Sequence, residues 1–153
     1  MYITVHAAAG AAIGTLIGSP ILAFIGGFIS HIILDMIPHG DEGIQNWKLF
    51  KTKRQRMAAA GLIDFFGVAL LLAFLINRVD ITLLPGVLAG MAGGISPDAL
   101  WGFHEMTGTP LLNKYRSWHT LGHDFITKKK ITIKQGFAVQ LPFLISFIWF
   151  TLR

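Results

Sequence analysis

From Met57 to Asn77 the chain runs for 21 residues with a single ionisable side chain, Asp64. At about 1.5 Å of rise per residue, a helix of that length crosses a hydrocarbon core of ~30 Å. The segment therefore reads as a transmembrane helix. Further apolar segments lie at Ala7 to Gly18, Ile21 to Ile37, Ile81 to Ile95 and Gly136 to Leu152. Ser19-Pro20 divides the first pair, because proline favours a helix start, so the two halves are expected to form a tight helical hairpin. Ile81 to Ile95 is short for a crossing and is expected to be tilted, extended or partly inserted. Of 153 residues, 53% are hydrophobic and 14% charged, which is more apolar than an ordinary soluble domain. The expected fold is all-α: a polytopic membrane helical bundle of about five hydrophobic helices plus a cytoplasmic helical loop region, with residues 1–153 forming one integral membrane domain. Met1 to His6 lacks the basic stretch that opens a cleavable signal peptide.

Charge placement orients the bundle. Of 13 Lys and Arg residues, 11 fall in two stretches, Lys48 to Arg56 and Lys114 to Lys134, leaving Arg78 and Arg153 elsewhere. The positive-inside rule makes both stretches cytoplasmic. Five crossings then put the N-terminus inside the cytoplasmic membrane and the C-terminus outside. Basic runs of this kind suit anionic lipid headgroups. They lack the patterned basic surface that nucleic acid needs, so the expected partners are membrane lipids and not nucleic acid; the oligomeric state is left open.

In that topology all six histidines and all but one of the eight carboxylates collect on the cytoplasmic side. Ionisable groups within a membrane are costly and point to function. His31 and Asp35 are four residues apart, on one helical face, where both can reach one ion. A hydrogen-bonded His-Asp couple in a polar seam is the plainer role. His119 and His123 repeat that spacing between Trp118 and Phe125, with exposed, uninvolved imidazoles as the plainer role. His6 opens the first helix. Asp98 follows Ser96-Pro97, with Ser96 a cap and Pro97 the start of a new helix; Asp98 is either a ligand or a first-turn acid of that helix. Asp64 lies roughly 12 Å into its helix, as ligand, partner of a histidine, general base, or a protonated packing group. His39, Asp41, His104 and Glu105 flank the group, and His104-Glu105 ranks lower because adjacent residues do not share a helix face.

Gly10, Gly14 and Gly18 recur every four residues, as do Gly86, Gly90 and Gly94. Such rows let helix backbones approach closely. Each row ends near Ser-Pro, a short echo within the chain.

Gly27-Phe28-Ile29-Ser30-His31-Ile32-Ile33-Leu34-Asp35, Gly94-Ile95-Ser96-Pro97-Asp98 and His6 together resemble the membrane-bound metal-dependent hydrolases of the YdjM-like type. That family carries a Gly-x-x-Ser-His-x-x-x-Asp helix, a Gly-rich helix ending in Pro-Asp-x-Asp-His, and an N-terminal His. Its His-Arg-Gly-x-Thr-His stretch corresponds to His119 to His123, where the Arg and Thr are absent and the spacing is one shorter. Ala99, Leu100 and Trp101 follow Asp98 in place of the second Asp and His, and the Ser-His-Asp helix comes early in the chain.

The resemblance implies hydrolysis. The metal ligands are expected to be His6, His31, Asp35, Asp98, His119 and His123, with Asp64 or Asp35 as the catalytic base. The chain has no cysteine, so the donors are nitrogen and oxygen, which suit zinc first, then manganese or iron. Headgroup depth favours a phosphoester or lipid-linked substrate. The alternatives are non-enzymatic: an ion or proton translocator using the same His/Asp cluster, or a haem- or metal-binding module.

Overall fold

The computed structural model describes residues 1–40, 48–126 and 131–153, and the side chains of these residues apart from 122–126. The described chain is all-helical: α1 (Ile3–Ile17), α2 (Pro20–Asp35), α3 (Lys53–Ile76), α4 (Leu84–Thr107), a 3-10 turn at Pro110–Leu112, α5 (Asn113–Ile126) and α6 (Ile133–Thr151). The hairpin of α1 and α2 turns where expected. Gly18 closes α1 in the left-handed region at φ 69°, its N–H reaching the Gly14 carbonyl, and Pro20 opens α2. A left-handed cap of this kind favours glycine, which has no Cβ to clash.

The glycine rows set the core. α4 runs antiparallel to α1, with Gly94 against His6, Gly90 against Gly10 and Gly86 against Gly14. On its other side α4 meets α2, where Gly27 faces Gly90 and Gly94, and Gly93 faces Phe24. At these positions the backbones themselves are in contact, so a Cβ would overlap a carbonyl. Around this seam Ala7, Ala8 and Ala11 of α1 pack with Leu71 and Leu75 of α3 and with Val87 and Met91 of α4.

Helices α1, α3 and α6 point one way, and α2 and α4 the other. Asp64 of α3 sits beside Thr4 near the start of α1, while Leu75 packs farther along in the alanine cluster. Early in α6, Gln140 accepts from Tyr2 N at 2.6 Å and donates to the His39 carbonyl at 2.8 Å. Two of the helices that start at this end are fixed by reciprocal caps, Thr52 with Gln55 on α3 and Thr132 with Gln135 on α6. Each such cap is worth about 0.5–2 kcal/mol. One end of the bundle thus gathers the starts of α1, α3 and α6, the ends of α2 and α4, and all of α5.

Two expectations change. Pro97 does not start a new helix: α4 continues through it as far as Thr107, and Asp98 lies inside it. Pro97 has no N–H to donate to the Gly93 carbonyl, and Ser96 Oγ donates to that oxygen instead, at 2.9 Å. The local repair lets the helix go on. The five expected crossings are met in part. Among the described residues two helices, α3 and α6, are long and apolar enough to cross a membrane, while α1 and α2 are apolar but shorter. Much of α3 is exposed, including Leu62, Ile63, Phe65, Phe66 and Leu70, as are Ile21, Leu22 and Ile29 on α2.

The seam yields a test. Gly90→Ala sets a methyl group against backbone that no rotamer change can relieve, and overpacking of that kind typically costs about 1–3 kcal/mol. Gly61→Ala and Gly102→Ala have nothing within 4 Å of the new Cβ and should gain roughly 0.5–1 kcal/mol from restricting the unfolded chain. Thermal unfolding in detergent should order the three variants accordingly; an unchanged midpoint for Gly90→Ala would show that the seam is not tight.

Candidate metal centre

His31 and Asp35 occupy the last turns of α2, four residues apart, and both are buried. The helix presents them together: His31 Nε2 lies 3.0 Å from Asp35 Oδ2. Helix α4 brings Asp98, with Oδ1 at 3.6 Å from His31 Nε2. Helix α5 brings His119, with Nε2 at 3.5 Å from Asp98 Oδ1 and 4.0 Å from Asp35 Oδ2. In all, one donor atom from each of His31, Asp35, Asp98 and His119 lies within 4.8 Å of every other. Donors 2.0–2.2 Å from a tetrahedral ion sit about 3.3 Å apart. The measured separations surround that value.

The proton on His31 is fixed by its other nitrogen. Nδ1 stands 2.8 Å from the Gly94 carbonyl, which can only accept, so Nδ1 carries the hydrogen. In the neutral ring Nε2 is then a lone pair. Among the described residues no hydrogen-bond partner lines up with it. It faces two carboxylates instead. Lone pair against carboxylate repels unless a proton or a metal cation lies between them, and donation of the far N–H to a carbonyl is the usual support of a metal-binding imidazole.

His6 flanks the group. Its ring stacks on His31 with centroids 3.9 Å apart, and its Nε2 lies 3.0 Å from Asp35 Oδ1. The Met1 amino group pairs with that same oxygen. Asp35 therefore joins two environments, one oxygen toward His6 and Met1, the other toward His31 and His119.

The remaining expected residues go elsewhere. Asp64 is not one of the four: its Oδ1 accepts from Thr4 N at 3.4 Å and Thr4 Oγ1 at 3.3 Å. It thereby caps the first turn of α1. His39 Nδ1 donates to the Ile37 carbonyl at 2.6 Å and His104 Nδ1 to the Thr109 carbonyl at 2.9 Å, so both imidazoles pin chain turns. Asp41 and the His123 side chain lie outside the described residues.

The sequence reading passed over the groups that seat His119. Tyr115 lies one turn earlier on the same face of α5, its ring 6.0 Å from His119, and its hydroxyl donates to the Pro97 carbonyl at 2.8 Å. Burial first, then the Asp98 and Asp35 carboxylates, push that hydroxyl up to about 12. It remains a donor at any physiological pH. Trp101 stacks on His119 from α4 at 6.2 Å. The i, i+4 and i, i+3 spacings of Tyr115 to His119 and of Asp98 to Trp101 were the available signal.

Glu105 ties three helices together. It accepts from Lys53 Nζ at 2.8 Å and Arg116 Nε at 2.7 Å. The Lys53 bond first, and that of Arg116 after burial, hold its carboxyl below the ordinary 4.5. A lowered carboxylate stabilises the folded state fully above its unfolded value and loses that contribution as pH falls through the folded one. The attachment of α5 should therefore be constant above about pH 5 and weaken below pH 4.5. Proteolysis after Lys114 or Arg116, followed against pH with an acid-stable protease, measures this; Glu105→Gln should give the low-pH behaviour at neutral pH, and a flat profile in both proteins would refute the tether.

No family model matches the chain, and comparison with curated proteins and with solved structures likewise found no match.

Proposed function

We propose that this protein is a membrane-embedded metal-dependent hydrolase of the YdjM-like type, with its site at the cytoplasmic end of the bundle. The observation that carries the reading is His31 Nε2, without a hydrogen-bond partner among the described residues, facing Asp35 Oδ2 and Asp98 Oδ1 in a group of four donor atoms on two buried and two half-buried residues. Asp35 has the Met1 amino group beside one oxygen, but its other oxygen and the half-buried Asp98 carboxylate lie close together and gain from a further cation between them. A divalent ion balances their charge and accepts the imidazole lone pairs. Two nitrogens and two oxygens suit zinc, with manganese or iron as alternatives.

When bound, such an ion supplies Lewis acidity and lowers the pKa of water toward ~7. The chain's own groups would do the rest. Asp35, with one oxygen at the four-atom group and the other 3.0 Å from His6, is placed to take a proton from water and share it with His6. Tyr115, Trp101 and Glu105 hold α5 so that His119 stays over the group. Depth within the bundle and the nearby Lys and Arg residues favour an anionic, lipid-linked phosphoester substrate. The exposed apolar faces of α2, α3 and α6 support residence in a bilayer, since soluble surfaces rarely leave such patches open. With α1, α2 and α4 completing five crossings, the basic stretches put the N-terminus inside.

Metal analysis of detergent-purified protein tests the site. The wild type should retain about one zinc, manganese or iron per chain. His31→Ala and Asp98→Asn should each lower affinity by more than the ~10–100-fold typical of groups that only support a ligand, and should abolish phosphoester turnover. A metal-free wild type, or His31→Ala with full metal content, would overturn the reading.

Asp64→Ala separates packing from chemistry. It removes the cap on α1 and should cost about 0.5–2 kcal/mol of stability, with metal stoichiometry retained. Loss of metal at unchanged stability would instead return Asp64 to the site.

A further inference from the structure

Helix α5 and the 3-10 turn that leads into it divide into three sectors. Leu112, Tyr115 and His119 point toward α4 and α2 and are partly buried. Asn113, Arg116, Ser117 and Thr120 form an exposed polar flank. The opposite flank is apolar and open: Trp118 is 79% exposed and Leu121 67%, with Leu111 of the preceding turn at 92%. At 3.6 residues per turn these three fall on one side of the helix, with Lys114 among them.

A helix with a buried edge, a polar flank and an apolar flank bearing Trp, Leu and Lys has the pattern of one lying in a membrane interface. Trp rings favour that depth. Lys114 can bury its stem while its ammonium stays at the headgroups. The exposed basic side chains Lys48, Lys51, Arg54 and Lys134 lie at the same end of the bundle, and their sign complements anionic lipid.

We infer that α5 is an interfacial helix whose Trp118 flank docks into an anionic phospholipid surface, and that this docking holds His119 over the His31, Asp35 and Asp98 group. The inference rests on the membrane reading above, but not on hydrolysis. It adds the bilayer to the supports of the fourth donor, since His119 lies only one residue from Trp118 on a helix that the bundle itself grips through Tyr115, Trp101 and Glu105.

The chain has no cysteine, so single spin labels can be placed cleanly at exposed positions. Trp118→Cys and Leu121→Cys probe the apolar flank; Ser117→Cys and Thr120→Cys probe the polar one. In vesicles of equal phosphatidylglycerol and phosphatidylcholine, the first pair should collide more with dissolved oxygen, and the second more with a water-soluble chromium complex. Equal access of the aqueous reagent to all four sites would overturn the docking. In phosphatidylcholine alone the contrast should fall by about 5-fold, the worth of one basic residue near anionic lipid; an undiminished contrast would overturn the anionic preference. For the link to the site, Trp118→Ser with Leu121→Ser should weaken zinc retention in the mixed vesicles by about 10-fold, and unchanged retention would overturn the link. Collision data need neither metal nor turnover, so failure of the hydrolase reading leaves them standing. Failure of the membrane reading appears separately, as protein that does not float with the vesicles.

Discussion

The contact on which this molecule depends is backbone against backbone. Where α4 crosses α1 and α2, Gly86, Gly90, Gly93 and Gly94 lie so close to the partner backbones that none has room for a Cβ of its own. In lipid, helices gain little from burying apolar surface against one another, and close approach with dispersion supplies the association. The same closeness fixes the site. His31 can donate to the Gly94 carbonyl only because Gly27, one turn earlier on α2, lets α2 ride directly on α4. A side chain at that crossing would move His31 out of reach and free its ring to turn.

Once that ring is fixed, the electrostatics follow. With the hydrogen on Nδ1, the lone pair of Nε2 is committed toward Asp35 and Asp98. Asp98 in turn is held by an uninterrupted α4, which needs Ser96 to take over the Gly93 carbonyl that Pro97 leaves without its usual donor. A matching arrangement occurs on α2, where Ser30 Oγ donates to the Gly27 carbonyl at 2.8 Å just before His31. The two Gly-x-x-Ser turns thus precede the two residues that meet at the group. The Ser-Pro echo of the sequence pairs different residues: Ser19-Pro20 opens α2, whereas Ser96-Pro97 lies inside α4.

Much of the site could be read from spacing. His31 with Asp35 needed only the helical repeat, and the glycine rows announced a tight crossing. What spacing could not supply was the effect of tertiary partners on helix ends. Proline after Ser96 looked like a boundary, because a lost backbone bond normally stops a helix; the hydroxyl that replaced it is a local detail with no periodic signature. Asp64 looked like a site residue because an acid in an apolar run is expensive. The cost is met by the amide and hydroxyl of Thr4, sixty positions away, and nothing within the apolar run pointed to them. Glu105 ranked low beside His104, and its role became visible only with Lys53 and Arg116 placed around it.

The two ends of the bundle are chemically unequal, and that inequality bears on which activity the fold can support. At the α5 end lie His6, Asp35, Asp98, His119 and most of the basic residues. At the other, Asp80 turns back on Thr82 through its amide and hydroxyl at 2.8 and 2.7 Å, and Arg153 lies over Trp149 at 3.5 Å. Between these ends, α1 and α4 meet through alanine and glycine with their backbones in contact. A translocator needs polar groups across the whole thickness. A hydrolase needs them at one depth, beside the headgroups of an amphiphilic substrate, with an apolar body to hold that depth. The glycine seam seats α4 against α1 and α2, and so sets Asp98 beside His31 and Asp35 at one end of the bundle.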